Sequence, residues 1–199
     1  MGEGEEEANM TTIADVERLL TRARRLRDGI REIKGTGASW EFTFPDGVTE
    51  RYTIKGVKPV EHIEDDVAAL FVWLWSAKDY LKSLASARGR NPQMIENLVD
   101  RTPALCLLAD VANRLKHSSL ERRSRSGCSP RLDRPEFKGH QGGVRSIEVS
   151  ATGVTIEPTS PDAVELRYPV IDASGSLVAD ATVLLTSAIA YWEKALAEL

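Results

Sequence analysis

The amino-acid sequence predicts an α+β fold that is mainly α. We expect a helical bundle of four to five helices with an N-terminal β-hairpin excursion and a small C-terminal antiparallel sheet. Apolar residues recur every three or four positions over several long segments, which is typical of amphipathic helices. Apolar and polar residues alternate over 40–44, which favours a strand, and further short strands are predicted within 144–170. The 199 residues, 42% of them hydrophobic, are enough to bury a core.

The first helix and the hairpin have clear boundary signals. Thr11 or Thr12 can cap a helix whose apolar positions run to residue 33, and glycines 35 and 37 end it. Trp40, Phe42 and Phe44 then alternate with polar residues, as in a half-buried strand. The sequence Pro45-Asp46-Gly47 favours a turn, because proline presets φ and glycine accepts a positive φ.

The remaining helices are marked by apolar periodicity and by two proline-containing starts, at Asn91-Pro92 and Thr102-Pro103. The predicted helical spans are about 60–86, 92–100, 103–118 and 183–196. Residues 119–143 are rich in Ser, Pro and Gly and are predicted to be a loop or a disordered segment. Three strands are predicted after it, at 144–149, 153–157 and 163–170.

The expected organisation is a disordered acidic lead-in at 1–10 and a single helical domain at 11–199, with β insertions at 39–55 and 144–170. The lead-in does not resemble a signal peptide, and no apolar run approaches the ~20 residues that span a bilayer. We therefore expect a cytoplasmic protein that does not bind membranes. Two cysteines and three histidines lack the spacing of a metal site, so we expect no metal and no cofactor.

A polar stripe lies on the predicted fourth helix, opposite its apolar side. The stripe consists of Asp110, Asn113, Arg114 and His117. Because their spacing is i, i+3, i+4 and i+7, these side chains share one helix face. His117 could transfer a proton, Arg114 could bind a phosphate or carboxylate, and Asn113 and Asp110 could orient either. An ordinary surface helix also carries a polar face, so a purely structural role stays open.

The chain becomes basic after this helix. Residues 114–140 contain eight basic and three acidic residues, a net charge of +5 in a protein whose net charge is −4. Such a local excess predicts contact with RNA or another anion, whereas a solvated loop is the alternative. The candidate binding residues are Lys116, Arg122, Arg123 and Arg125. Trp73 and Trp75 point to different sides of the long helix, so one of them could mark an aromatic face for a homodimer.

The stretch from Asp110 to His117 resembles a D-x-x-N-x-x-K-H helix of uncharacterised bacterial proteins, and it is loosely similar to the motif helix of HEPN-type helical domains. That resemblance covers about half of the chain and implies a bacterial defence or toxin-type system in which two chains can form an RNA-cleaving site. Family members that cleave RNA separate their arginine and histidine by four to six residues. Here Arg114 and His117 are separated by two.

Two functions are therefore predicted. One is a non-enzymatic interaction protein, or a component of a defence or toxin-type system, that binds itself or a partner protein. The alternative is a HEPN-like RNA-cleaving or RNA-binding effector that uses Arg114 and His117. The residues leave open whether the chain is an enzyme.

Overall fold

The computed structural model describes residues 11–32, 34–117, 124–151 and 153–199, and the predicted acidic lead-in lies outside them. Within these ranges the fold is α+β with five helices, which agrees with the four to five predicted. The helices are α1 (Ile13–Arg31), α2 (Val60–Ala87), α3 (Gln93–Arg101), α4 (Pro103–His117) and α5 (Ala181–Glu198). None of these helices is long and apolar enough to cross a membrane.

Side-chain caps explain where two of the helices begin. Thr12 and Asp15 form a capping box at the start of α1, in which each side chain accepts a hydrogen bond from the other residue's backbone N–H. Asp180 caps α5 by accepting hydrogen bonds from the N–H groups of Thr182 and Val183. Both devices satisfy N–H groups that have no partner within the helix.

The main core lies between the helices. Helix α2 packs against α1, α4 and α5, and its buried face includes Phe71 and Leu74. Trp192 of α5 is fully buried, as expected for a core tryptophan. A second, smaller cluster contains Ala38, Ile54, Val57 and Val164, with Phe137 and Leu166 packed against it. This cluster lies between one end of the hairpin and the later strands.

Nine strands occur in the described residues. They are β1 (Ala38–Thr43), β2 (Thr49–Ile54), β3 (Arg131–Leu132), β4 (Glu136–Gly139), β5 (Val144–Ser150), β6 (Gly153–Pro158), β7 (Val164–Arg167), β8 (Pro169–Ile171) and β9 (Leu177–Asp180). They form a four-stranded sheet in the order β1-β2-β6-β5, a three-stranded sheet β3-β8-β9 and the two-stranded ribbon β4-β7.

The hairpin β1-β2 forms as predicted, but it is not a separate excursion from the bundle. Strand β2 pairs in parallel with β6, so the hairpin and the β5-β6 pair form one sheet. The close approach explains Gly153, whose φ is +142° and whose position leaves no room for a Cβ beside the carbonyl oxygen of Arg51. Local alternation could not predict this pairing, because about 100 residues separate the two strands in sequence.

The predicted single C-terminal sheet and the predicted loop at 119–143 need correction. Segment 163–170 is two strands, since β7 pairs with β4 and β8 pairs with β3 and β9. Strands β3 and β4 lie inside the segment predicted to be irregular, and β9 was missed. These strands have only two to four residues, so they carry little periodic signal and depend on distant partners.

Candidate functional site

Asp110 of the polar stripe is buried, with 2% of its surface exposed, and its carboxylate is fully used by the loop that follows α4. Its Oδ1 accepts a hydrogen bond from the backbone N–H of Arg125 at 3.0 Å. Its Oδ2 accepts hydrogen bonds from the Ser126 N–H at 2.8 Å, the Ser126 hydroxyl at 2.7 Å and the Ser124 hydroxyl at 2.5 Å. Asp110 therefore anchors residues 124–126 to α4.

The other three stripe residues lie toward the end of α4. Asn113 and Arg114 are half-buried, and His117 is exposed in the last turn of the helix. The Arg114 guanidinium donates a long hydrogen bond of 3.4 Å to the Ser129 carbonyl, while its buried Nε has no partner in the described part of the chain. No hydrogen bond or ion pair joins Asn113 to His117 among the described residues. Asn113, Arg114 and His117 therefore lie together near the end of α4, whereas Asp110 is buried under residues 124–126 and does not join them.

The predicted anion-binding residues have different environments. Lys116 is exposed at the end of α4, and Arg122 and Arg123 lie outside the described residues. Arg125 is already paired with two carboxylates, Glu96 at 3.0 Å and Asp100 at 2.8 Å. These ion pairs neutralise much of the charge that an anion would meet at Arg125.

Glu96 is the centre of an ion-pair network that holds the same loop. Besides Arg125, its carboxylate contacts Lys82 at 2.8 Å and Lys78 at 3.5 Å. Desolvation by burial opposes ionisation of Glu96, but the hydrogen bonds and charges of the three cations prevail and lower its pKa to about 2. Arg125 and Lys78 also lie over the ring of Trp75, at 5.6 Å and 4.5 Å from its centre. The ion pairs and the contact with the Trp75 ring therefore give Arg125 a role in holding the loop against α2 and α3.

The two tryptophans of α2 separate as their spacing suggested. Trp75 is buried beneath the ion-pair network. Trp73 is 37% exposed on the surface of α1 and α2, where the Arg22 guanidinium lies 5.4 Å from its ring centre. A homodimer through this aromatic helix face stays a prediction.

A larger apolar surface lies on the four-stranded sheet. In the register of β1-β2-β6-β5, Trp40 is level with Tyr52, Val154 and Val149, so these residues share one face. We call the following residues the sheet-face patch: Trp40, Phe42, Phe44, Val48, Tyr52, Ile147, Val149 and Val154. Trp40 stacks on Tyr52 with ring centres 5.9 Å apart, and Phe42 meets Phe44 edge-on at 4.8 Å.

The patch is exposed although its residue types are those of a core. Phe42 is 52% exposed, Ile147 61% and Val149 78%. The small cluster around Ala38 and Ile54 covers only one end of this face, and the rest extends beyond it. The exposed apolar area is roughly 500 Å², near the upper end of the largest patches on ordinary monomers, about 300–600 Å².

The opposite face of the same sheet is polar. Thr43, Glu41 and Ser39 of β1 lie there, level with threonines and Arg51 of β2. Arg51 donates to Glu41 at 2.7 Å, and Ser39 and Thr43 each form a hydroxyl contact with a threonine of β2. This contrast shows that the apolar side chains are confined to one face.

The sequence interpretation identified the alternation that builds this face but assigned it to a half-buried strand. The available signal was the set of aromatic and aliphatic residues on both the hairpin and 144–157, all in the same alternating phase within each strand. Without the parallel pairing of β2 and β6, nothing showed that they form one continuous surface.

No protein-family model, curated protein or solved structure matches this chain. Among the described residues, no group of three or more His, Cys, Asp or Glu side chains could hold a metal ion.

Proposed function

We propose that this chain is a non-enzymatic interaction protein whose contact surface is the sheet-face patch, and that a second copy of the chain covers it. The observation that carries the proposal is the continuous exposure of Trp40, Phe42, Ile147 and Val149 on one face of the sheet. The proposed homodimer interface therefore lies on the sheet, whereas the sequence suggested an aromatic face of α2.

The size of the patch supports this occupant. A standard protein interface buries about 800 Å² per partner, of which about 65% is apolar in homodimers. The roughly 500 Å² of exposed apolar surface matches that need. Burying it on both copies would remove roughly 1,000 Å² of apolar surface from water, and this burial is the favourable term in association.

The composition of the sheet-face patch also suits contact with the same patch of a second copy. Glu50 is the charged residue that lies level with Phe42 on this face, and its carboxylate accepts a hydrogen bond from the Tyr52 hydroxyl at 2.7 Å. Two apolar sheet faces can pack about 10 Å apart with their strands nearly aligned. A two-fold axis would then place each patch against its own copy.

Sedimentation equilibrium of the purified chain tests the proposal. We expect a dimer with a Kd of about 10 µM or tighter. Phe42→Lys and Val149→Lys should each weaken it at least about a hundredfold, because each substitution occurs twice in a symmetric interface. Thr43→Lys is the matched control on the polar face and should leave the Kd unchanged. A wild-type chain that stays monomeric at about 100 µM, or a dimer indifferent to Phe42→Lys, overturns the proposal.

The second candidate is RNA cleavage by Arg114 and His117, as the HEPN-like resemblance implies. It is favoured by the buried Arg114 Nε, which has no partner in the described residues, and by the exposed His117 one turn further along α4. An RNA phosphate could accept hydrogen bonds from the terminal nitrogens of the half-buried Arg114 guanidinium. Incubation of RNA with the purified chain should then give cleavage products that disappear in His117→Ala. Cleavage that survives this substitution rejects the candidate.

A further inference from the structure

A groove of about 590 Å³ lies beside strand β1, outside the centre of the sheet-face patch. It is bounded by β1, by the first two turns of α2 and by β4. Its lining includes Ser39, Trp40, Val60, Glu61, Glu64 and Phe137. Its volume falls within the 300–1,000 Å³ range of binding sites for drug-sized ligands.

Strand β1 presents an unpaired edge to its surroundings. It is the outer strand of the four-stranded sheet, with β2 as its partner among the described strands. The Phe44 N–H donates to the Val48 carbonyl at 2.8 Å, so Phe44 belongs to a hydrogen-bonded pair of the hairpin ladder. Because such pairs alternate along an antiparallel ladder, the backbone groups of Ser39 and Glu41 face away from β2.

Those outward backbone groups are available for another strand. No hydrogen bond outside the hairpin ladder involves the backbone of Ser39 or Glu41 in the described residues. Unpaired N–H and C=O groups on a sheet edge pair readily with an extended peptide. Between Ser39 and Thr43 the edge has room for a strand of about five residues.

The walls of the groove define the side chains that such a peptide would need. Trp40 of β1 and Phe137 of β4 provide the aromatic surface. Glu61 and Glu64 provide carboxylates on the α2 side, and neither forms an ion pair within the described ranges. Glu64 is half-buried, so an unpaired carboxylate there favours a cation that approaches from the groove.

The opposite rim of the groove has mixed charge. Glu136 and Lys138 of β4 lie there, together with Arg134 just before this strand, and all three are exposed to solvent. Their charges are screened more strongly than that of the half-buried Glu64. The charge selection therefore comes mainly from the α2 side and favours a basic residue.

We propose that the groove binds an extended peptide that adds a strand to the β1 edge. The peptide places an aliphatic or aromatic side chain between Trp40 and Phe137, and a lysine or arginine beside Glu61 and Glu64. These two residues are two positions apart, because only alternate side chains of a strand point to the same side. The groove shares Trp40 with the sheet-face patch, but the outward edge of β1, Phe137, Glu61 and Glu64 lie outside that patch, so the inference does not depend on the proposed homodimer.

Selection from a random heptapeptide library displayed on phage tests the proposal, because such a library contains many peptides with an apolar residue and a Lys or Arg at i and i+2. The wild-type chain is the target, and the Glu64→Lys chain removes peptides that do not use the groove. We expect enriched peptides with an apolar residue and a Lys or Arg at i and i+2. Failure to enrich such peptides over the Glu64→Lys chain overturns the proposal.

An enriched peptide, labelled with fluorescein, then gives the affinities by fluorescence anisotropy. Glu64→Lys and the more exposed Glu61→Lys should each weaken binding at least tenfold. Glu148→Lys is the matched control, since it makes the same charge change on the polar face of β5. Equal weakening by Glu148→Lys would show a general charge effect and reject the groove.

Methylation of the peptide backbone tests strand addition itself. N-methyl groups on alternate residues remove the donors of one strand edge. We expect methylation of one set of alternate residues to abolish binding and methylation of the other set to leave it within about threefold. Equal effects of the two sets contradict strand addition. Sedimentation of Glu64→Lys, which should still dimerise, separates failure of this proposal from failure of the proposed function.

Discussion

Replacing Asp110 by alanine should destabilise the fold strongly, because this buried carboxylate accepts four hydrogen bonds from residues 124–126. The two serine hydroxyls can partly compensate, since Ser124 and Ser126 already lie 3.0 Å apart. The backbone N–H groups of Arg125 and Ser126 are held in place by the loop and would lose the acceptor that Asp110 provides. An unsatisfied buried donor costs about 1–3 kcal/mol, so we expect a loss of about 3 kcal/mol in the free energy of unfolding.

Urea denaturation followed by circular dichroism measures this loss as a lower midpoint at an unchanged m-value. The melting temperature should fall by about 6–12 °C, given about 2–4 °C per kcal/mol for a chain of this size. Asp110→Asn keeps the shape and one acceptor oxygen, so it should cost less than Asp110→Ala.

Asn113→Ala is the matched control on the same helix, because Asn113 is half-buried and forms no side-chain hydrogen bond in the described residues. It should change the free energy of unfolding by less than about 1 kcal/mol. If Asp110→Ala also costs less than about 1 kcal/mol, the loop donors have other partners and the anchoring role assigned to Asp110 is refuted.

Three further predictions concern other parts of the fold. The pKa of Glu96 is lowered from 4.5 to about 2, so its stabilisation is complete above pH 4.5 and is lost as the pH falls toward 2. The free energy of unfolding of the wild type, obtained from urea titrations, should therefore drop by on the order of 2 kcal/mol more than that of Glu96→Gln over this window, and parallel pH dependences of the two proteins would contradict it. Burial raises the pKa of the Cys106 thiol, so iodoacetamide should label the half-buried Cys128 first at neutral pH, as peptide mass spectrometry can show. Gly153→Ala should lower the free energy of unfolding by about 3 kcal/mol or more, because its Cβ would lie 2.0 Å from a backbone oxygen of β2. Gly175→Ala has open space around it and should lower this free energy by only about 1 kcal/mol, because of its positive φ. Similar urea midpoints for the two variants would reject the close approach of Gly153 to β2.

The helices were predictable because their signals are local. Thr12, the prolines at 92 and 103, and the apolar periodicity of α2 placed the observed helices within a few residues. Apolar spacing and capping depend on neighbours three or four positions away, which the sequence shows directly.

The candidate site was only partly predictable for the opposite reason. The wheel placed Asp110, Asn113, Arg114 and His117 on one face, but it could not show that a loop folds back over Asp110 and buries it. The charge count likewise included Arg125 as free, although Glu96 and Asp100 neutralise it from another helix. Burial and pairing across elements are properties of the assembled fold.

By itself the sequence determined the helical segments, the hairpin and the alternation of apolar side chains over 40–44. Only the tertiary structure decided what those alternating residues do. The parallel pairing of β2 with β6 joins two distant segments into one sheet, and the covering cluster at Ala38 and Ile54 stops partway along it. The physical reason is that alternation assigns each side chain to a face of its strand, whereas long-range pairing and packing decide whether that face meets the core or remains exposed.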